Sequence, residues 1–175
     1  HDEKAGVMRI GLDQLADLRT KGTPRGITSV CSAHPVVLRA ALRHGVATGA
    51  TVLIEATCNQ VNHRGGYTGM VPADFAALVA RIAAEEGCPM EQVILGGDHL
   101  GPNPWRDQPA ELALAEAEKM VESYVAAGFR KIHLDASMGC LGEPVALDDE
   151  ATAKRAVRLA AVAERVAKDQ GGDLP

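Results

Sequence analysis

Asp98 and His99 stand side by side at the end of the apolar run Val93-Ile-Leu-Gly-Gly-Asp-His-Leu-Gly-Pro102. An acid and an imidazole one residue apart can move a proton, and either side chain can hold a metal ion. The run itself reads as a short strand covered on both faces and stopped by a Gly/Pro loop. Its two adjacent glycines leave room where a ligand or another backbone can approach. Two more acids sit in similar runs, Glu55 in Thr51–Ala56 and Asp135 in Lys131–Ala136. In a closed parallel sheet, alternation sends Val52, Ile54, Ala56, Ile132, Leu134 and Ala136 outward. Glu55, Thr57, His133, Asp135 and Ser137 then face inward, as does Asp98 in line with Gly96. Three carboxylates at one mouth repel each other unless a metal, a cationic group or shared protons balance them. Singly, each has a plainer reading. Asp98 and Asp135 can cap the turns that follow them, Glu55 can pair with a buried Arg, and His99 can be a bonded loop histidine. His133, two residues before the expected strand end, reads as structural.

The elements needed to bring these residues together are legible in order. Arg9 to Lys21 has a helical pattern with Leu12, Leu15 and Ala16 on one face, closed by Gly22 and Pro24. Gly26 to Ser32 is the first strand. Pro35 suits a first helical position, and Val37, Leu38, Ala41 and Leu42 form the stripe of the next helix. After the second strand comes the Gly-rich loop Asn59 to Gly69, a mobile lid or a phosphate cradle. Phe75, Leu78, Val79, Ile82 and Ala83 then keep strict helical spacing. After the third strand, Ala113, Ala117, Met120, Val121 and Tyr124 form another stripe, ended by Gly128. Asp148 is placed to cap a last helix whose stripe is Ala156, Leu159, Ala160, Ala163 and Val166. Near the mouth lie His34, Cys31 and Cys58.

Four strand–loop–helix units in series imply an α/β fold with a parallel sheet. The long loops follow strands, the helix-to-strand links are short, and no G-x-G-x-x-G follows the first strand. Those features favour a TIM (β/α)8 barrel over an open doubly wound sheet. A barrel takes about 250 residues, so 175 residues are expected to hold its first four βα units. Residues 1–25 read as a helical lead-in and 26–175 as the half-barrel, stopping before strand five in Gly171-Gly-Asp-Leu-Pro175.

A hydrophobic content of 46% with only 3% aromatics predicts a core of aliphatic side chains. The net charge of −5 argues against nucleic acid, since no basic surplus exists to neutralise phosphates. No apolar run is long enough to span a membrane. Four dispersed cysteines without a C-x-x-C pair read as reduced thiols of a cytoplasmic protein.

Several segments together resemble one family. Ile27-Thr-Ser-Val-Cys-Ser-Ala-His-Pro35, Leu53-Ile-Glu-Ala-Thr-Cys-Asn-Gln-Val-Asn62, Gly65-Gly-Tyr-Thr-Gly-Met70, Leu95-Gly-Gly-Asp-His-Leu-Gly-Pro-Asn103 and Lys131-Ile-His-Leu-Asp-Ala-Ser-Met138 are similar to the GatZ/KbaZ family. These are accessory subunits of D-tagatose-1,6-bisphosphate aldolase, related to class II, zinc-dependent sugar-bisphosphate aldolases. The resemblance implies a separate catalytic aldolase subunit as partner, together with a phosphorylated ketose, an oligomer, and a place in galactitol or N-acetylgalactosamine breakdown. It also implies, as an alternative, an aldolase active by itself with Zn2+. In those aldolases the strand-three acid moves the proton and the histidine binds zinc, which maps onto Asp98 and His99. The remaining zinc ligands would come from strands beyond residue 175. Asp98, Glu55 and Asp135 are thus the candidate catalytic residues, His99 the candidate metal ligand, and Asn59, Ser137 and Ser32 the candidates for binding substrate. A Schiff-base mechanism needs a lysine at the mouth, and Lys131 begins its strand at the other end. The family is sometimes labelled tagatose-6-phosphate kinase, but no G-x-x-x-x-G-K-[ST] is present.

Overall fold

The structure, a computed structural model, describes residues 9–171. The first eight residues of the expected lead-in and residues 172–175 of the closing turn lie outside the described residues. The elements follow in the order α1 (Gln14–Thr20), β1 (Ser29–Cys31), α2 (Pro35–Thr48), β2 (Val52–Thr57), α3 (Pro72–Glu85), β3 (Val93–Leu100), α4 (Ala110–Ala126), β4 (Lys131–Leu134) and α5 (Asp149–Asp169). The sheet runs β1-β2-β3-β4 and every pairing is parallel. Consecutive parallel strands need a crossover, and α2, α3 and α4 supply one each. The expected α/β architecture is therefore present.

The strands are shorter than their apolar runs. β1 keeps only three residues, and β4 stops at Leu134 because the chain turns into a loop tied by a Met138–Ala146 bridge. α1 starts at Gln14 instead of Arg9 and buries no residue. The stripe of α2 is narrower than its spacing implies: Leu38 and Leu42 are buried, whereas Val37 is largely exposed.

The core lies between one face of the sheet and the helices. Ile54 from β2 and Leu100 from β3 pack there with Leu38, Phe75, Val79, Ile82, Met120, Val121, Tyr124 and Leu159, all essentially inaccessible. Each such side chain contributes about 1.5–3 kcal/mol relative to exposure. Tyr124 meets Phe129 edge-on with ring centroids 4.6 Å apart.

Helix ends are fixed as the residue types dictate. Asp148 accepts a hydrogen bond from Ala151 N at 2.7 Å and caps α5. Gly128 follows α4 at φ 87°, a left-handed conformation that glycine adopts without penalty. His34 starts α2: its Nδ1 accepts from Val36 N at 3.3 Å, which gives this near-mouth histidine a capping role.

Candidate functional site

The site begins with a break in the β3 ladder. Gly97 pairs with Ile132 and Leu100 with Leu134, so β3 takes three steps where β4 takes two. The extra residue is accommodated where His99 adopts φ 53°, among the described residues the one non-glycine in that region. Leu100 thereby returns to the helix side, fully buried, while Asp98 and the exposed His99 both remain available at the strand end. A bulge of this kind re-aims side chains beside functional sites. The two glycines before it have separate tasks. A Cβ at Gly96 would lie 2.8 Å from Glu55 Cγ, and one at Gly97 would lie 2.5 Å from Leu100 Cδ1 and 3.0 Å from Tyr124 Cδ1.

Four side chains converge at the ends of β3 and β4. His133 Nδ1 meets Asp98 Oδ1 at 2.8 Å, and the Cys31 thiol donates to Asp98 Oδ2 at 3.4 Å. His99 stands between two carboxylates, with Nε2 3.9 Å from Asp98 Oδ2 and Nδ1 3.9 Å from Asp135 Oδ2. Its ring lies 4.7 Å from that of His133. Asp135 is fixed from its own loop, where Ser137 Oγ donates to Oδ1 at 2.7 Å and Ser137 N at 3.2 Å.

The electrostatics follow from those contacts. Burial pushes the Asp98 carboxyl up, but hydrogen bonds from His133 and Cys31 and the charge of His99 outweigh it, so its pKa falls below the ordinary value. Asp135 is held low in the same way: burial is overcome by its two Ser137 bonds and the charges of His99 and His133. Cys31 is pushed up to about 12 by burial and then by its bond to Asp98, which keeps it a thiol donor at neutral pH. Cys58 is pushed up to about 11, chiefly by burial.

Asp98, His99 and His133 each offer one donor atom, and the three atoms lie within 4.8 Å of one another. Two imidazoles and a carboxylate suit Zn2+ or a similar divalent ion. The donor chemistry fits the cation implied for His99 and adds two residues of this chain to it.

Glu55 is placed differently from the expected rim. It lies two residues below the end of β2, only 2% exposed, opposite Gly96. Ser29 Oγ donates to its Oε1 at 2.5 Å, and Lys131 Nζ to its Oε2 at 2.6 Å. The bare Cα of Gly96 lets Lys131, its register partner on β4, reach across. The partner is thus a lysine instead of an arginine, and both carboxylate oxygens are engaged. Glu55 and Lys131 form a floor beneath the mouth.

Of the candidates for substrate contact, Ser137 is brought to the rim through Asp135. Ser32 follows β1, and its Oγ accepts from His34 N at 3.2 Å. Asn59 is exposed at the start of the loop after β2, with its carbonyl taken by Tyr67 N at 2.9 Å. That loop is neither a free cradle nor a loose lid. Buried Asn62 accepts through Oδ1 from Arg64 N at 2.9 Å and Gly66 N at 3.1 Å, and Gly65 N, Tyr67 N and Thr68 N also donate within the loop. Tyr124 Oη donates to Val61 O at 2.9 Å, while His63 and Arg64 bind Glu116 at 2.8 and 2.7 Å. His63 also packs on Trp105, the rings 5.3 Å apart.

His133 is the site residue that sequence reasoning passed over. Its inward parity was legible, but the expected strand ran to Ala136. With β4 ending at Leu134, His133 reaches the rim.

Known proteins resemble this chain closely. The family model described as D-tagatose-1,6-bisphosphate aldolase subunit GatZ/KbaZ-like matches residues 12–175. A protein of Agrobacterium fabrum named D-tagatose 6-phosphate 4-epimerase is 67% identical over 164 residues, which cover 94% of this chain and 39% of that protein. A protein of Klebsiella pneumoniae named D-tagatose-1,6-bisphosphate aldolase subunit GatZ is 58% identical over 145 residues, 83% of this chain and 34% of its own length. A crystal structure of a probable tagatose 6 phosphate kinase from Sinorhizobium meliloti superposes with a TM-score of 0.80 at 60% identity, covering 81% of this chain and 37% of that one. The chain therefore spans less than two fifths of each of these relatives.

Proposed function

This chain belongs to the GatZ/KbaZ-like family of D-tagatose-1,6-bisphosphate aldolase subunits, and from that membership we propose that it is the first half of a (β/α)8 barrel acting on a phosphorylated tagatose. Residues 26–175 supply the first four βα units, and strands five to eight complete the barrel in the whole protein. The reaction is cation-assisted cleavage and re-formation of the C3–C4 bond, used for epimerisation at C4. The observation that carries this reading is the convergence of Asp98, His99, His133 and Asp135 at the ends of two adjacent strands.

The chemistry accounts for two of the three names borne by the relatives, the epimerase and the aldolase subunit. In a 2-ketose the C4 hydroxyl is β to the carbonyl. When a carboxylate of the site takes its proton, C3–C4 breaks, an aldehyde is left at C4 and the bonding pair moves into an enediolate across C2 and C3. The same carboxylate returns the proton to the C4 oxygen once the bond re-forms. If the aldehyde departs, the outcome is aldol cleavage. If it turns and is attacked on its other face, the outcome is the C4 epimer. A divalent cation, when bound, supplies Lewis acidity toward the ketose oxygens. Asp98, His99 and His133 would hold it, with Asp98 held in place by its bonds to His133 and Cys31. The four cysteines are free, which suits a reducing cytoplasm.

A second reading is favoured by the 58% identity to a GatZ subunit: an accessory role, activating a separate catalytic aldolase subunit. The experiment assays the full-length protein with D-tagatose 6-phosphate, alone and beside a catalytic aldolase subunit with the bisphosphate. Epimerisation by the protein alone supports the first reading. Silence alone, with activation of the second subunit, replaces it by the accessory one.

A further inference from the structure

We propose that Asp135, fixed by Ser137, is the positioning carboxylate of His99, orienting its ring so that Nε2 is presented to a divalent cation shared with Asp98 and His133. The inference rests on the cation reading above and assigns a role to a carboxylate outside the three-residue cluster.

His99 has two ring nitrogens with different surroundings. Nε2 faces Asp98 Oδ2 and Nδ1 faces Asp135 Oδ2, each at 3.9 Å. A neutral imidazole carries one proton, so a nitrogen that binds a cation leaves the proton on the other. Asp98 belongs to the donor cluster, which makes Nε2 the nitrogen for the cation and leaves Nδ1–H turned to Asp135 Oδ2, at ion-pair distance and placed to close to a hydrogen bond once a cation fixes the ring. Metal-bound histidines commonly give their second N–H to a carboxylate, which fixes the ring and raises its basicity. Asp135 is prepared for that task. Its Oδ1 already accepts from both Ser137 Oγ and Ser137 N, so the carboxylate is anchored on one side while Oδ2 turns to His99.

The backbone gives a reason for needing such a residue. His99 occupies a left-handed conformation at a bulge and is exposed, with its ring 4.7 Å from that of His133. A ring on such a backbone can turn about its side-chain bonds, and an anchored carboxylate on the adjacent strand end selects one orientation. The line Ser137–Asp135–His99–cation is therefore a support chain separate from the Asp98–His133 contact.

The test titrates Zn2+ into the full-length protein against a chromophoric chelator and records the Co2+ visible spectrum of the same variants. Wild type is expected to bind one ion. H99A is expected to lose the site. D135N should bind 10–100-fold more weakly, in the range measured for supporting carboxylates, with a Co2+ spectrum of unchanged shape. S137A should shift affinity in the same direction by less, and D135E should recover part of it. Circular dichroism confirms folding, and S137A keeps the test decisive if D135N does not fold. D135N or S137A binding indistinguishable from wild type overturns the inference, as does D135N losing the ion as completely as H99A, which would make Asp135 a ligand. Absence of Zn2+ binding by wild type overturns the cation reading itself together with this inference. Loss of tagatose-phosphate turnover alone touches only the reaction.

Discussion

His133 Nδ1 and Asp98 Oδ1 lie 2.8 Å apart and join the ends of β4 and β3 at the mouth of the sheet. An ionised carboxylate only accepts, so without a cation the imidazole donates this bond. The contact links an acid that the sequence singles out with a histidine that it does not.

H133A should therefore damage the site, although His133 lies outside the Asp-His pair. In the full-length protein we expect kcat/KM to fall by more than the roughly 10–100-fold that loss of a residue merely supporting a cation ligand costs, because a ligand itself is removed, with little change in unfolding midpoint. Steady-state kinetics beside thermal unfolding checks it. A rate within threefold of wild type would remove His133 from the site.

The floor beneath the mouth predicts a different pattern. Glu55 is inaccessible and Lys131 is its charged partner at 2.6 Å. Removing one partner, as in K131M, strands a buried charge and should cost about 3–5 kcal/mol. The double variant E55L/K131M should recover most of that loss. Urea midpoints of full-length E55L, K131M and E55L/K131M measure it, and additive losses would contradict the pair.

His99 offers a trade between stability and function. Its φ of 53° is a conformation that glycine adopts freely. H99G relieves about 1–2 kcal/mol of left-handed strain against about 0.5–1 kcal/mol for the freer unfolded chain, so it should stabilise the full-length protein by about 0.5–1 kcal/mol while abolishing turnover. A lower unfolding midpoint for H99G would contradict the strained-bulge account.

The pH dependence of stability should carry the mark of Glu116. Hydrogen bonds from Lys119 first, then Arg64 and His63, outweigh its burial and lower its pKa to about 2. A depressed carboxyl stabilises fully above its unfolded pKa near 4.5, and the contribution is lost as pH falls toward 2. E116Q should flatten the stability profile in that window and loosen the loop after β2. Unfolding midpoints between pH 2 and 6 test it; an unchanged slope would count against the contact.

Much of this arrangement was legible in the sequence. Alternation gave the inward parity of Asp98, His133 and Asp135, and helical spacing gave Phe75, Val79, Met120 and Tyr124 as core. What escaped was set by tertiary contacts. The bulge at His99 depends on Leu100 returning to the helix side, which no periodicity records. Glu55 looked like a rim acid because its pairing with Lys131 crosses an empty Gly96, a contact between strands far apart in sequence. The loop after β2 looked free because its glycines are visible in the chain, whereas the Asn62 bonds that close it are not.

The proposed cation of Asp98, His99 and His133 and its use in tagatose-phosphate chemistry stand or fall together. The most direct measurement strips the full-length protein with a chelator and titrates Zn2+ back while following conversion of D-tagatose 6-phosphate to its C4 epimer. Activity should vanish on stripping and return in proportion to the ion, reaching its plateau at one per chain. Turnover that survives complete removal of the metal would contradict it.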